Sequence, residues 1–108
     1  NTAGRNPQTR LIPEDILEQT HQVFANIETA LAAVDASLAD VVCSRVFIQD
    51  PKDVPAVMGL IGEKFRGVDP ASTVTCPPLG STVYKVELEV TAYRNASKAQ
   101  VEVIRLSQ

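Results

Sequence analysis

The feature that most constrains this chain is the alternation between Thr82 and Tyr93. Thr82, Tyr84, Val86, Leu88, Val90 and Ala92 face one way, and Val83, Lys85, Glu87, Glu89, Thr91 and Tyr93 face the other. A period of two residues belongs to a strand with one face toward a core and one toward water, which predicts a long strand over 82–93. The rest of the chain must then supply a layer that covers the apolar face. Upstream, Ile16, Thr20, Val23, Phe24, Ile27, Ala30, Leu31 and Val34 recur at steps of three and four, the stripe of an amphipathic helix over about 16–34. Asp15 followed by Glu18 has the spacing of a capping box and sets its start.

The intervening segments fill in the architecture. Residues 1–14, with Gly4, Asn6-Pro7 and Pro13, have the composition of a loop. Ser37 to Asp40 reads as a short turn, and the run from Val41 to Ile48, rich in β-branched residues and bounded by Asp50-Pro51, reads as a strand. Asp53 is placed to cap a second helix, with Pro55 in its first turn, Val57, Leu60, Ile61 and Phe65 facing inward and an end near Gly67. A short strand over 72–76 is stopped by Pro77-Pro78, since proline donates nothing to a ladder. The tail over 98–107 alternates weakly through Val101 and Val103, as an edge strand or a frayed extension. With 108 residues and 44% hydrophobic content, one domain over 1–108 is expected. The order of elements gives an α+β fold, two helices packed on one face of a sheet.

Composition removes several function classes. Ten Lys and Arg stand against thirteen Asp and Glu, a net charge of −3, with no basic cluster longer than a pair, so no nucleic-acid groove is expected. One histidine and two cysteines without a Cys-x-x-Cys pair make no recognisable metal site. No apolar run approaches the roughly 20 residues of a membrane span, and the polar start is no signal peptide, so a soluble cytoplasmic protein is the expectation. Cys43 and Cys76 fall in segments that read as buried strands and are expected to be reduced. Asn95-Ala96-Ser97 reads as a polar loop. Dinucleotide, P-loop and serine-hydrolase motifs are absent from the sequence. His21, beside the helical stripe, reads as a partly exposed helix residue rather than a base. Glu87 and Glu89 share one strand face, either solvated or, for Glu87, lining a cleft between subunits.

Longer stretches carry a family resemblance. The run Asp15-Ile-Leu-Glu-Gln-Thr-His-Gln-Val-Phe-Ala-Asn-Ile-Glu-Thr-Ala-Leu-Ala-Ala, then Ala36-Ser-Leu-Ala-Asp-Val-Val, Val46-Phe-Ile-Gln-Asp50, Pro55-Ala-Val, Pro70-Ala-Ser-Thr and Val86-Glu-Leu-Glu, resembles the RidA family, also called YjgF or L-PSP endoribonuclease. The match runs in family order over residues 1–93, and 94–108 form a C-terminal extension beyond it. Asn1 to Ile12 resembles the loop after the family's first hairpin, so that N-terminal hairpin is expected to be absent.

The resemblance implies a chorismate-mutase-like fold with a mixed sheet, a homotrimer built around a barrel of sheets, and ligand pockets between subunits. It implies hydrolysis of reactive enamines and imines to keto acids and ammonia, with no cofactor and a small molecule as substrate. Glu87 matches the family glutamate that helps hold the attacking water. Ser72 stands where the family arginine clamps a substrate carboxylate, and Met58 where many members carry asparagine. Val74 and Cys76 complete the expected substrate-binding set. A serine hydroxyl cannot grip a carboxylate bidentately as a guanidinium does. The resemblance therefore implies a substrate other than 2-aminoacrylate, or else a non-catalytic binding or regulatory trimer. A ribonuclease or translation inhibitor fits the acidic charge less well.

Overall fold

Asp15 stands in extended backbone ahead of helix α1 (Ile16–Ala32), and its carboxylate accepts from the amides of Leu17 at 3.1 Å and Glu18 at 3.0 Å. These are two of the four donors that a helix start leaves unbonded. Glu18 contributes its amide, in place of the reciprocal side-chain bond that the spacing suggested. Val23, Phe24, Ile27 and Leu31 are buried as the stripe predicts, but the helix stops at Ala32 and Val34 is 57% exposed. The cause is Asp35, whose left-handed φ of 58° lets the Ala36 amide close back onto the Leu31 carbonyl at 2.9 Å.

The computed structural model describes residues 2–95; the weak strand expected over 98–107 lies outside them. Strands β1 (Thr2–Ala3), β2 (Val41–Ile48), β3 (Ala71–Thr75) and β4 (Val86–Ala92) form one mixed sheet in the order β1-β4-β2-β3. Strand β2 keeps the boundaries expected of it. It runs parallel to β3 and antiparallel to β4, and helix α2 (Val54–Lys64) makes the crossover that a parallel pair requires. Both helices cover the same face, where Phe24 of α1 meets Phe65 edge to face at a centroid distance of 5.5 Å. Val46 and Ile48 of β2 and Val86 and Leu88 of β4 complete this core from the sheet side. Each such buried side chain contributes roughly 1.5–3 kcal/mol relative to exposure.

Four expectations are corrected. Strand β4 begins at Val86, because Gln19 of α1 captures the backbone ahead of it: its Oε1 accepts from Lys85 N–H at 2.7 Å and Val86 N–H at 3.2 Å. Tyr84 N–H turns back to the Ser81 carbonyl at 3.2 Å, so Thr82 and Tyr84 sit in a turn despite alternating like a strand. Asp53 makes no cap bond; Asp50 caps instead, accepting from the amide of Lys52 at 3.0 Å at the head of a short 3-10 helix, Pro51–Asp53. Strand β3 ends at Thr75, the last residue paired with β2, which leaves Cys76 outside it and exposed, while Cys43 is half-buried. Both cysteines are free thiols. Finally, the supposed loop 1–14 contains β1, which pairs with Glu87 and Leu88 of β4 and is held by Asn26, whose Nδ2 donates to the carbonyls of Ala3 at 3.0 Å and Arg5 at 2.8 Å.

Candidate functional site

The sheet sorts the expected site residues by face. Ser44 pairs in register with Ser72 of β3 and Val90 of β4, and Val46 with Val74 and Leu88. Side chains in one such row share a face, and rows alternate along the strand. Ser72 and Val74 therefore lie on the helix-covered face, with Val74 packed against the core. The row between them and beyond is opposite in sense: Thr75, Phe47, Glu87 and Ala3 stand across the open face, beside Thr73, Arg45 and Glu89.

On the covered face a groove opens between the second half of α2 and β3, with a volume of about 190 Å³. Met58, Ile61, Phe65 and Pro70 are its apolar lining residues, and Ser44, Ser72 and Asp69 its polar ones. Ser44 is buried at the sheet centre and its hydroxyl donates to Ser72 Oγ at 3.3 Å. That bond satisfies the buried hydroxyl and leaves Ser72, itself exposed, able to engage a ligand. The loop leading into β3 turns at Asp69, where a left-handed φ of 49° precedes Pro70.

The sequence expectation thus resolves into two places. Ser72 and Met58 meet in the groove, while Val74 belongs to the core beside it. Cys76 lies past the end of β3 and does not line the groove. Glu87 is half-buried on the opposite face, between Phe47 of β2 and Ala3 of β1 in the ladder. Beside it, Arg45 and Glu89 approach to 3.9 Å, both substantially exposed, an ion pair of small energetic weight. His21 is exposed on α1. Ser44 and Asp69 were not singled out from sequence, and Ile61 and Phe65 were read only as inward-facing residues of the second helix. For Ser44 a signal exists, a polar residue at an inward position of a strand, but its partner in β3 lies across a helical crossover and is not written locally.

Among the described residues no group of His, Cys, Asp and Glu is arranged to hold a metal ion, and no helix is long and apolar enough to cross a membrane.

This arrangement, a mixed sheet with two helices on one face, defines a fold class that known proteins share. The sequence profile of the family Endoribonuclease L-PSP matches residues 1–94. A 2-iminobutanoate/2-iminopropanoate deaminase from Dermatophagoides farinae is 32% identical over 88 residues, 80% of this chain and 68% of the relative. A member of the YjgF/YER057c/UK114 family from Mycobacterium tuberculosis superimposes with a TM-score of 0.75 at 29% identity, covering 85% of this chain and 73% of that one. A Rid-family protein from Yersinia pestis does so with a TM-score of 0.78 at 28% identity, covering 83% and 73%. The chain belongs to the endoribonuclease L-PSP family, the YjgF or RidA family of the sequence resemblance.

Proposed function

We propose that this protein is a cofactor-independent deaminase of a reactive enamine or imine other than 2-aminoacrylate, acting in pockets between the subunits of a homotrimer. The observation that carries the proposal is the division of the residues at the family's site positions between two sheet faces: the groove holds Ser72 and Met58, which replace the family arginine and asparagine, and the open face carries the matched Glu87. A groove on one copy and a carboxylate on another make one complete pocket when subunits associate. Kinship with a 2-iminobutanoate/2-iminopropanoate deaminase supports the reaction class.

In the proposed reaction a water adds to the imine carbon while Glu87 takes its proton. With the imine entering as its iminium this gives a neutral carbinolamine; the proton on Glu87 passes to its nitrogen, Glu87 then takes the hydroxyl proton as the C=O bond forms and the C–N bond breaks, and ammonia leaves with a carbonyl product, taking the proton from Glu87 as ammonium. Ser72 holds the substrate by its hydroxyl. Two cysteines kept as thiols suit a reducing compartment, and we take the setting to be the cytoplasm.

One observation favours a second reading. With Ser72 where the resemblance places an arginine, the protein would bind a small molecule without turning it over. Ammonia release from a panel of imines generated in solution decides between the two. Release that exceeds the spontaneous rate and scales with protein supports the deaminase; binding without release supports the sensor. The charge of −3 gives ribonuclease activity no electrostatic footing.

A further inference from the structure

We infer that the groove beneath α2 selects a ligand that carries a cationic nitrogen on a small apolar body, a protonated amine or iminium, and discriminates against carboxylates. The inference rests on the groove being the ligand site proposed above, and it narrows the ligand class. No basic residue is among the groove's described lining residues, whereas Asp69, an exposed acidic residue, lines its rim. The neighbouring cations stand outside that lining: Lys64 places its Nζ 6.0 Å from the Phe24 ring centroid, Arg66 is exposed, and Arg45 lies on the other face of the sheet beside Glu89.

Backbone electrostatics act in the same direction. Ile61 and Gly62 of the last turns of α2, with Phe65 just after it, form one wall. The C-terminal end of a helix carries partial negative charge and favours cations. Ser72 Oγ already accepts from Ser44 and keeps a second lone pair to accept an N–H from the ligand. An incoming carboxylate would meet the Asp69 charge and the helix C-terminus with no cation among the described lining residues to offset its desolvation. An ammonium or iminium would find a carboxylate, a hydroxyl acceptor and an apolar wall for its carbon skeleton.

Benzylamine and benzoate, which share a ring and differ in charge at neutral pH, test this directly by NMR titration of the amide signals of Gly62 and Ser72. Benzylammonium is expected to shift these signals and to bind about fivefold to tenfold more tightly than benzoate, the scale of one half-exposed charge contact. In Asp69→Asn the preference should shrink to about threefold or less, since one charge is removed and asparagine tolerates a left-handed backbone. Ser72→Arg should reverse the order in favour of benzoate. Benzoate binding as tightly as benzylamine to the unmodified protein, an unchanged preference in Asp69→Asn, or no shift from either probe would each overturn the inference. Ammonia release is scored separately. Its absence alongside a retained amine preference refutes the deaminase and leaves the ligand class standing.

Discussion

Ser72 and Glu87 occupy opposite faces of one sheet: Ser72 shares a row with Ser44 under the helices, whereas Glu87 shares a row with Phe47 on the open side. No side-chain rotation brings the two together within one protomer. Any chemistry that uses both is chemistry between copies.

Assembly is therefore the first consequence to measure. Light scattering is expected to give the mass of a trimer, and Phe47→Asp, which puts a charge on the open face, should yield folded monomers by circular dichroism with no ammonia release. Complementation gives a sharper readout. Ser72→Trp, which blocks the groove, and Glu87→Gln, which removes the carboxylate, should each be inactive alone, and co-expression should restore part of the activity. Silence of the mixture would mean that the two residues serve no common site.

Glu87→Gln keeps shape and loses the proton acceptor. Turnover is expected to fall by roughly 10²–10⁴-fold, the usual contribution of a general base, with ligand binding retained within a few-fold. Unchanged turnover in a measured kcat series would reduce Glu87 to a solubilising residue of a sheet face.

Gln19 is fully buried and uses its whole amide: Nε2 donates to the carbonyls of Pro13 at 2.9 Å and Val83 at 3.0 Å, and Oε1 accepts from Lys85 and Val86. Gln19→Leu should cost about 3–4 kcal/mol, because it orphans several backbone groups at once. Thermal unfolding should show this as a fall in Tm of more than about 10 °C. Gly4→Ala is expected to act at the same place, since a Cβ there would lie 2.5 Å from Gln19 Cγ and from the Gln19 carbonyl oxygen.

Asp50 gives the acid dependence. The amide of Lys52 holds its carboxyl below the ordinary value of 3.8, helped by the Lys52 side chain with Nζ at 3.4 Å. A pKa lowered by folding adds stability that is complete above the ordinary value and is lost as pH falls through the folded one. Asp50→Asn keeps the cap acceptor, so its Tm should lie slightly below that of the unmodified protein at neutral pH and converge with it in acid. Added salt should narrow the difference, as both partners are exposed.

How legible the fold was depends on whether a segment's partners are local. Strand β2 was readable to the residue because a run of β-branched side chains ends at Asp50-Pro51. Phe24, Ile27 and Leu31 were readable from helical spacing. The start of β4 was not, since Thr82 and Tyr84 continue the alternation and only a glutamine from α1 breaks the ladder there. In the site, the exposure of Cys76 and the company of Ser44 and Asp69 follow from where β3 stops pairing and from a parallel crossover, neither of which leaves a local pattern. The opposite orientation of Glu87 relative to Val86 and Leu88 was readable from alternation; that Ser72 takes the other face required the register between strands.

The Gln19 amide bridges also bear on the order in which the chain can mature on the ribosome. Its bonds to Val83, Lys85 and Val86 span sequence separations of 64, 66 and 67 residues. Until those residues leave the exit tunnel, the Gln19 side-chain amide has only the Pro13 carbonyl as a native partner and the head of α1 has no sheet to lock onto. Folding of this domain is thus deferred until β4 has emerged, and a nascent chain stalled before β4 would be a substrate for chaperones and proteases rather than a half-built domain.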